Sequence, residues 1–173
     1  YTEFLRRRFR AVAKFALNHS ITASSRTVTA DASSSEWTNT DEALYLGASS
    51  QASAVIRCAD DASNVYFLVE VKDNSLMSSD HVSLDLGTGK TISFNASGLL
   101  AAADGVTCKT AYDGELDSQK TSKGYVAEIK VAKSALSISS GKMLFNARLY
   151  ESSTGTTDSI SPSSSADEMI YIK

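Results

Sequence analysis

The segment Asn-Val-Tyr-Phe-Leu-Val-Glu-Val-Lys-Asp, residues 64–73, limits the fold more than any other stretch, because its side chains alternate without interruption. Val65, Phe67, Val69 and Val71 share one face, and Tyr66, Leu68, Glu70 and Lys72 share the other. A period of two is the signature of a pleated strand with one face in a core. The second face mixes aromatic, aliphatic and charged groups, which predicts a partly covered surface or a shallow groove.

Similar signals recur along the chain at 43–46, 52–59, 65–72, 81–86, 91–95, 105–112, 124–131, 142–150 and 169–172. Turn residues separate them. Asp60-Asp61-Ala62-Ser63-Asn64 and Gly87-Thr88-Gly89-Lys90 read as hairpin connections, and Asp113-Gly114 and Ser140-Gly141 as tighter bends. Short strands without helical periodicity between them predict an all-β, antiparallel, two-sheet sandwich, jelly-roll-like. Two stretches break the rhythm: 99–104 reads as an apolar loop or helical turn, and 151–167 as a long Ser- and Thr-rich loop with the single Pro162.

The start of the chain differs. Leu5, Phe9, Val12 and Ala16, widened by Phe4, Ala13 and Phe15, form an apolar stripe, while Arg6, Arg7, Arg10 and Lys14 lie mostly off it. This predicts an amphipathic N-terminal helix over 2–18. Residues 1–20 are therefore expected to be a helical connector and 21–173 the sandwich. Of the uses of such a helix, a connector packing its stripe on the sandwich or on a neighbouring domain is favoured over a membrane-surface or nucleic-acid arm, since arginines on a solvated face need no ligand.

The overall balance of 17 basic and 20 acidic residues, net −3, gives no electrostatic case for nucleic acid. No run has the length of uncharged apolar sequence that a membrane span requires. The chain opens at Tyr1 without a Met and reads as a piece of something longer. Ser and Thr make up about a quarter of the residues, a bias common in exported surface proteins. Cys58 and Cys108 fall on predicted strands and leave a disulfide and two buried thiols equally open.

The order of residues resembles the family 9 carbohydrate-binding modules and the related DOMON-like sandwiches. The resemblance rests on Val28-Thr29-Ala30-Asp31 followed by Trp37, residues 52–60 ending in an acidic turn, and Val65-Tyr66-Phe67 running to Val71-Lys72-Asp73. It continues through Asp80-His81-Val82-Ser83-Leu84-Asp85, Gly124-Tyr125-Val126-Ala127-Glu128-Ile129, and Gly141 to Phe145-Asn146, and covers about 26–173. It implies a secreted or cell-surface, non-catalytic module joined to an upstream catalytic domain of a carbohydrate-active enzyme, with a glycan or polysaccharide as partner. The family's two sugar-holding tryptophans have no counterpart here. Their places hold residues 76–79 and the Ser-rich loop, the acidic position of Asp-x-Val-Glu is Ser83, and the position of an arginine on the next strand is Ser93. Either this module binds sugar differently or it is an accessory spacer that has lost binding.

Catalysis finds few ingredients. His19 and His81 are the two histidines, and no phosphate loop or metal-ligand cysteine cluster occurs. Asp60 with Asp61 and Asp167 with Glu168 lie in predicted turns, where solvated acids are the ordinary explanation.

Sugar binding needs an aromatic face for the C–H side of a pyranose and planar polar groups for its hydroxyls. Strand parity supplies a set. With Phe145, Ala147 and Leu149 inward, Asn146, Arg148 and Tyr150 point outward; with Val82 and Leu84 inward, Ser83 and Asp85 do; with Phe94 inward, Ser93 and Asn95 join them. Arg148 suits an acidic sugar, or forms an ordinary surface ion pair with Asp85. Trp37 is expected to be a buried anchor, and Tyr112 a second aromatic platform without further support. No cofactor is expected; a structural calcium, with Asp31 and Asp73 as possible ligands, is the minority reading, since no contiguous calcium loop occurs. A haem with Met77 and His81 as axial ligands is the DOMON alternative, disfavoured because both sit beside one strand edge.

Overall fold

The computed structural model describes residues 20–47, 50–87, 89–113, 116–117, 124–138, 141–160 and 170–172. The expected helix over 2–18 lies outside them. In chain order the strands are β1 (Ser20–Ile21), β2 (Ser24–Ser25), β3 (Ala43–Leu46), β4 (Ala52–Asp60), β5 (Asn64–Asp73), β6 (His81–Leu86), β7 (Lys90–Asn95) and β8 (Gly98–Leu99). They continue with β9 (Val106–Asp113), β10 (Gly124–Ala132), β11 (Met143–Glu151), β12 (Thr156–Ser159) and β13 (Ile170–Ile172). A short 3-10 turn, Lys133–Ala135, is the one helical element among the described residues.

Two sheets form, as the alternation predicts. The first has the order β2-β4-β5-β10-β9, with β3 also on β4; the second has the order β1-β13-β11-β6-β7-β8, with β12 also on β11. The main ladders are antiparallel, but the expectation of a purely antiparallel sandwich is corrected at two edges, where β1 runs parallel to β13 and β2 parallel to β4. Ser20 already belongs to the second sheet, one residue before the expected boundary. The loop predicted over 151–167 contains β12, paired with β11 through Arg148↔Ser159 and Tyr150↔Thr157. The stretch after Asn95 forms β8 before its exposed loop.

The core fills the space between the sheets. Phe67 of β5 stacks on Phe145 of β11 with ring centroids 5.5 Å apart and planes 11° apart. Ile56, Val69 and Ile129 meet Leu84, Phe94 and Ala147 around them, all buried. At the start of β10, Gly124 has φ +105, and a Cβ there would lie 1.9 Å from the Val71 carbonyl oxygen, so close packing of the two strands requires glycine.

Register decides the cysteine question. Cys58 pairs with Phe67, Phe67 with Ile129, and Ile129 with Cys108. The two cysteines therefore share a level but are three strand spacings apart, about 14 Å, twice the reach of a disulfide. Both are free thiols. Burial pushes the Cys108 thiol up to about 11 and the Cys58 thiol well above its ordinary value. Reductant is expected to leave the thermal midpoint unchanged, and Ellman's reagent should titrate both thiols quickly only after unfolding. A midpoint lowered by dithiothreitol would contradict the register.

Candidate functional site

The outer faces of the two sheets differ in what covers them. On the first sheet, Ala59, Tyr66 and Leu68 point away from the core, yet they are buried beneath Val28 and Trp37 of the connection between β2 and β3. The strap is fastened by one carboxylate. Glu128 Oε1 accepts the Trp37 Nε1–H at 2.8 Å, and Oε2 accepts the backbone N–H groups of Asp31 (2.8 Å), Ala32 (2.8 Å) and Ser33 (3.2 Å). Ala32 has φ 67, which turns consecutive N–H groups toward one oxygen. Burial pushes the Glu128 carboxyl up, against the Trp37 and backbone donors that hold it down. The Arg26 guanidinium pairs with Asp41 and lies 5.1 Å over the Trp37 ring. Trp37 is thus buried as expected, and the strap closes the part of this face formed by Ala59, Tyr66 and Leu68, leaving Glu70 and Lys72 outside it.

The second sheet presents β11, β6 and β7 side by side, and register arranges their outward residues in rows. Tyr150 pairs with His81, and Asn95 falls level with His81, one residue past the Phe94 that pairs with Val82. Arg148 pairs with Ser83, which pairs with Ser93; Asn146 pairs with Asp85, which pairs with Thr91. Rows are about 7 Å apart along the strands and columns about 5 Å across. All seven residues expected from parity occupy one surface.

Their depths are unequal. Asn146, Ser83 and Asn95 are 3%, 7% and 7% exposed, so they form the floor. The Ser83 and Ser93 hydroxyls bond each other at 2.8 Å. Asn95 is committed to bracing, donating from Nδ2 to the Ser78 carbonyl (2.8 Å) and accepting the Ser97 N–H on Oδ1 (2.8 Å). Asp85 Oδ1 accepts from both Arg148 Nη2 (3.0 Å) and Thr91 Oγ1 (2.7 Å). The anion is sunk and the cation protrudes: the side chains are 15% and 46% exposed. Tyr150 and His81 form a tilted ring pair, centroids 5.1 Å apart at 38°. His81 and Thr91 were not among the expected site residues, although the inward parity of Val82 and Ile92 assigns both to this face.

The segment between β5 and β6 borders the face and is tied down by buried acids. Asp80 accepts the Met77 N–H (2.7 Å), the Ser152 N–H (2.8 Å) and the Ser152 hydroxyl, and Glu151 accepts the Ser153 and Thr154 N–H groups. Asp73, buried beneath them, has its pKa raised to about 6 by burial and by the neighbouring Asp80 and Glu151 carboxylates. Its value in the unfolded chain is about 4. Because the folded value is the higher one, the folded state holds an extra proton between about pH 4 and 6. Stability is therefore expected to rise as pH falls from 6 to 4 through this group, and Asp73→Asn should remove that slope in urea titrations.

The two possible calcium ligands lie apart. Asp31 lies exposed in the strap over the first sheet and takes the Ser33 N–H, whereas Asp73 is buried at the end of β5. Among the described residues no three His, Cys, Asp or Glu side chains are placed to hold a metal ion. Of the haem pair, His81 lies on the outer face, with Nδ1 bonded to the Ser79 carbonyl. Tyr112 is half exposed on β9, in the other sheet. No helix among the described residues is long and apolar enough to cross a membrane.

No family model matches the chain, and no curated protein matches it. Solved structures do. A family 9 carbohydrate-binding module from Caldicellulosiruptor kristjanssonii in complex with cellotriose matches with TM-score 0.67 and 20% identity, over 88% of this chain and 92% of that one. A family 9 module from the same organism in complex with glucose matches with TM-score 0.63 and 21% identity, over 88% and 94%. At this identity the likeness establishes a shared fold.

Proposed function

We propose, starting from the fold shared with family 9 carbohydrate-binding modules, that this chain is a non-catalytic sugar-binding module whose site is the outer face of β11, β6 and β7. The observation that carries this is the contrast between the faces. On one, the Trp37 strap covers the aromatic and aliphatic residues Tyr66 and Leu68, while the other leaves Tyr150, His81 and Arg148 accessible over a hydrogen-bonded polar floor. Tyr150 supplies the surface for the C–H side of a pyranose, and Arg148 supplies fixed planar donors to its hydroxyls. Arg148, Tyr150 and Ser93 make the direct contacts; Asp85 holds Arg148 from below, and Asn146, Ser83 and Asn95 complete the floor.

Residues 21–173 form the binding module and 1–20 a connector to an upstream catalytic domain, in a secreted or cell-surface protein. The fold of the neighbours and the Ser- and Thr-rich composition support that setting. The test is retention of the purified chain on a panel of immobilised neutral and acidic polysaccharides. Retention by the parent, lost in Arg148→Ala and Tyr150→Ala, is expected. An unretained parent would favour the accessory spacer, and a Soret band in the purified protein would favour haem.

A further inference from the structure

We infer that His81 Nε2 is the acceptor of this site, so that the sugar seated on Tyr150 must donate a hydroxyl proton to it and is therefore neutral at that position. The inference rests on the sugar-binding role of the same face.

His81 Nδ1 lies 2.9 Å from the backbone carbonyl oxygen of Ser79. A carbonyl oxygen only accepts, so the ring proton of the neutral imidazole is on Nδ1, and Nε2 carries the lone pair. The carbonyl is held firmly. Ser79 Oγ donates to Ser152 Oγ at 2.8 Å, Asp80, the next residue, accepts the Ser152 N–H, and Asn95 holds the Ser78 carbonyl on the other side. The ring also lies against Tyr150, so exchanging its two nitrogens would break a bond that three neighbours keep in place.

Val82 is buried inward, which sends His81 to the outer face, and Nε2 takes no hydrogen bond among the described residues. The other accessible groups cannot fill this role. Arg148 only donates, and Tyr150 and Ser93 are hydroxyls that both donate and accept. Asp85 is an acceptor, but it is sunk and its Oδ1 already serves Arg148 and Thr91. A sugar lying on Tyr150 thus meets one exposed, obligate acceptor, Nε2, and a donor, Arg148, in the next row. A hydroxyl satisfies Nε2. Against the neutral ring a carboxylate or sulfate oxygen has no proton to give and would leave two lone pairs facing each other.

Two measurements separate this inference from the broader proposal. His81 is one of two histidines, so a long-range proton–nitrogen correlation spectrum of the whole chain is readily assigned. The neutral ring is expected with Nδ1 protonated and Nε2 bare; Nε2 protonated instead overturns the inference whatever the protein binds. The second measurement is retention on neutral polysaccharides (cellulose, xylan, laminarin, galactan) beside acidic ones (polygalacturonate, alginate, chondroitin sulfate). His81→Asn places an amide where Nδ1 was and nothing at Nε2, and it should weaken retention on the neutral material about tenfold, one hydrogen bond's worth. His81→Gln restores an amide near Nε2 and should recover part of it. Unchanged retention in His81→Asn while Tyr150→Ala is inactive, or retention of the parent on acidic material alone, overturns the inference and leaves sugar binding standing. A parent retained by nothing removes both.

Discussion

Glu128→Ala is expected to destabilise the domain by about 3–5 kcal/mol, the largest effect of any single polar substitution considered for this fold. The carboxylate is buried and receives the Trp37 indole N–H and three backbone N–H groups. Alanine orphans all four donors, each costing about 1–3 kcal/mol if it stays buried. The total is bounded because the strap can lift and hydrate them, which exposes Tyr66 and Leu68 instead. Against a typical stability of about 5–15 kcal/mol, such a loss is large. Trp37 is the only tryptophan, so its emission reports the strap directly. The urea midpoint should fall and native emission should shift to the red. Glu128→Gln keeps the shape and one acceptor oxygen and should lose less. Unchanged emission and midpoint in the alanine variant would mean that the strap is held by Val28 and the Arg26–Asp41 pair instead.

On the open face, Arg148→Ala is expected to reduce glycan affinity roughly 10- to 100-fold, the value of charge-assisted hydrogen bonds at about 1.5–3 kcal/mol. Tyr150→Ala should cost at least about tenfold, through the lost ring surface. Neither should unfold the protein. The Arg148–Asp85 pair is partly exposed, where such pairs contribute at most about 1 kcal/mol, and Asp85 keeps its bond from Thr91 when the guanidinium is gone. Titration calorimetry beside urea denaturation separates the two effects: affinity falls while the midpoint holds. An affinity loss matched by a proportionate drop in midpoint would assign these side chains to stability instead.

The strands from β3 to β7 and from β9 to β11 were legible because each is long enough to show alternation and has one face in the core. β1, β2 and β8 are two residues long and carry no period. β12 reads Thr-Thr-Asp-Ser, an edge strand without an apolar face, and its composition is that of a loop. Parity alone located the candidate face, and even the Arg148–Asp85 pair was foreseeable from it. Depth was not, because the burial of Asn146 and Ser83 depends on neighbours that only register brings alongside. The strap over Tyr66 and Leu68 was likewise hidden, since Glu128 meets Asp31 and Trp37 across more than ninety residues of chain. Cys58 and Cys108 both fall on predicted strands, and the two intervening strands that part them appear only in the sheet order.

The most direct test of the open-face account is amide chemical-shift mapping with cellotriose and the neutral glycans that retain the protein. The account predicts shifts concentrated at residues 81–85, 91–95 and 146–150, with residues 52–60 and 64–73 of the strapped sheet unmoved. Shifts centred on the first sheet or on Tyr112, with the β11, β6 and β7 signals unchanged, would contradict it.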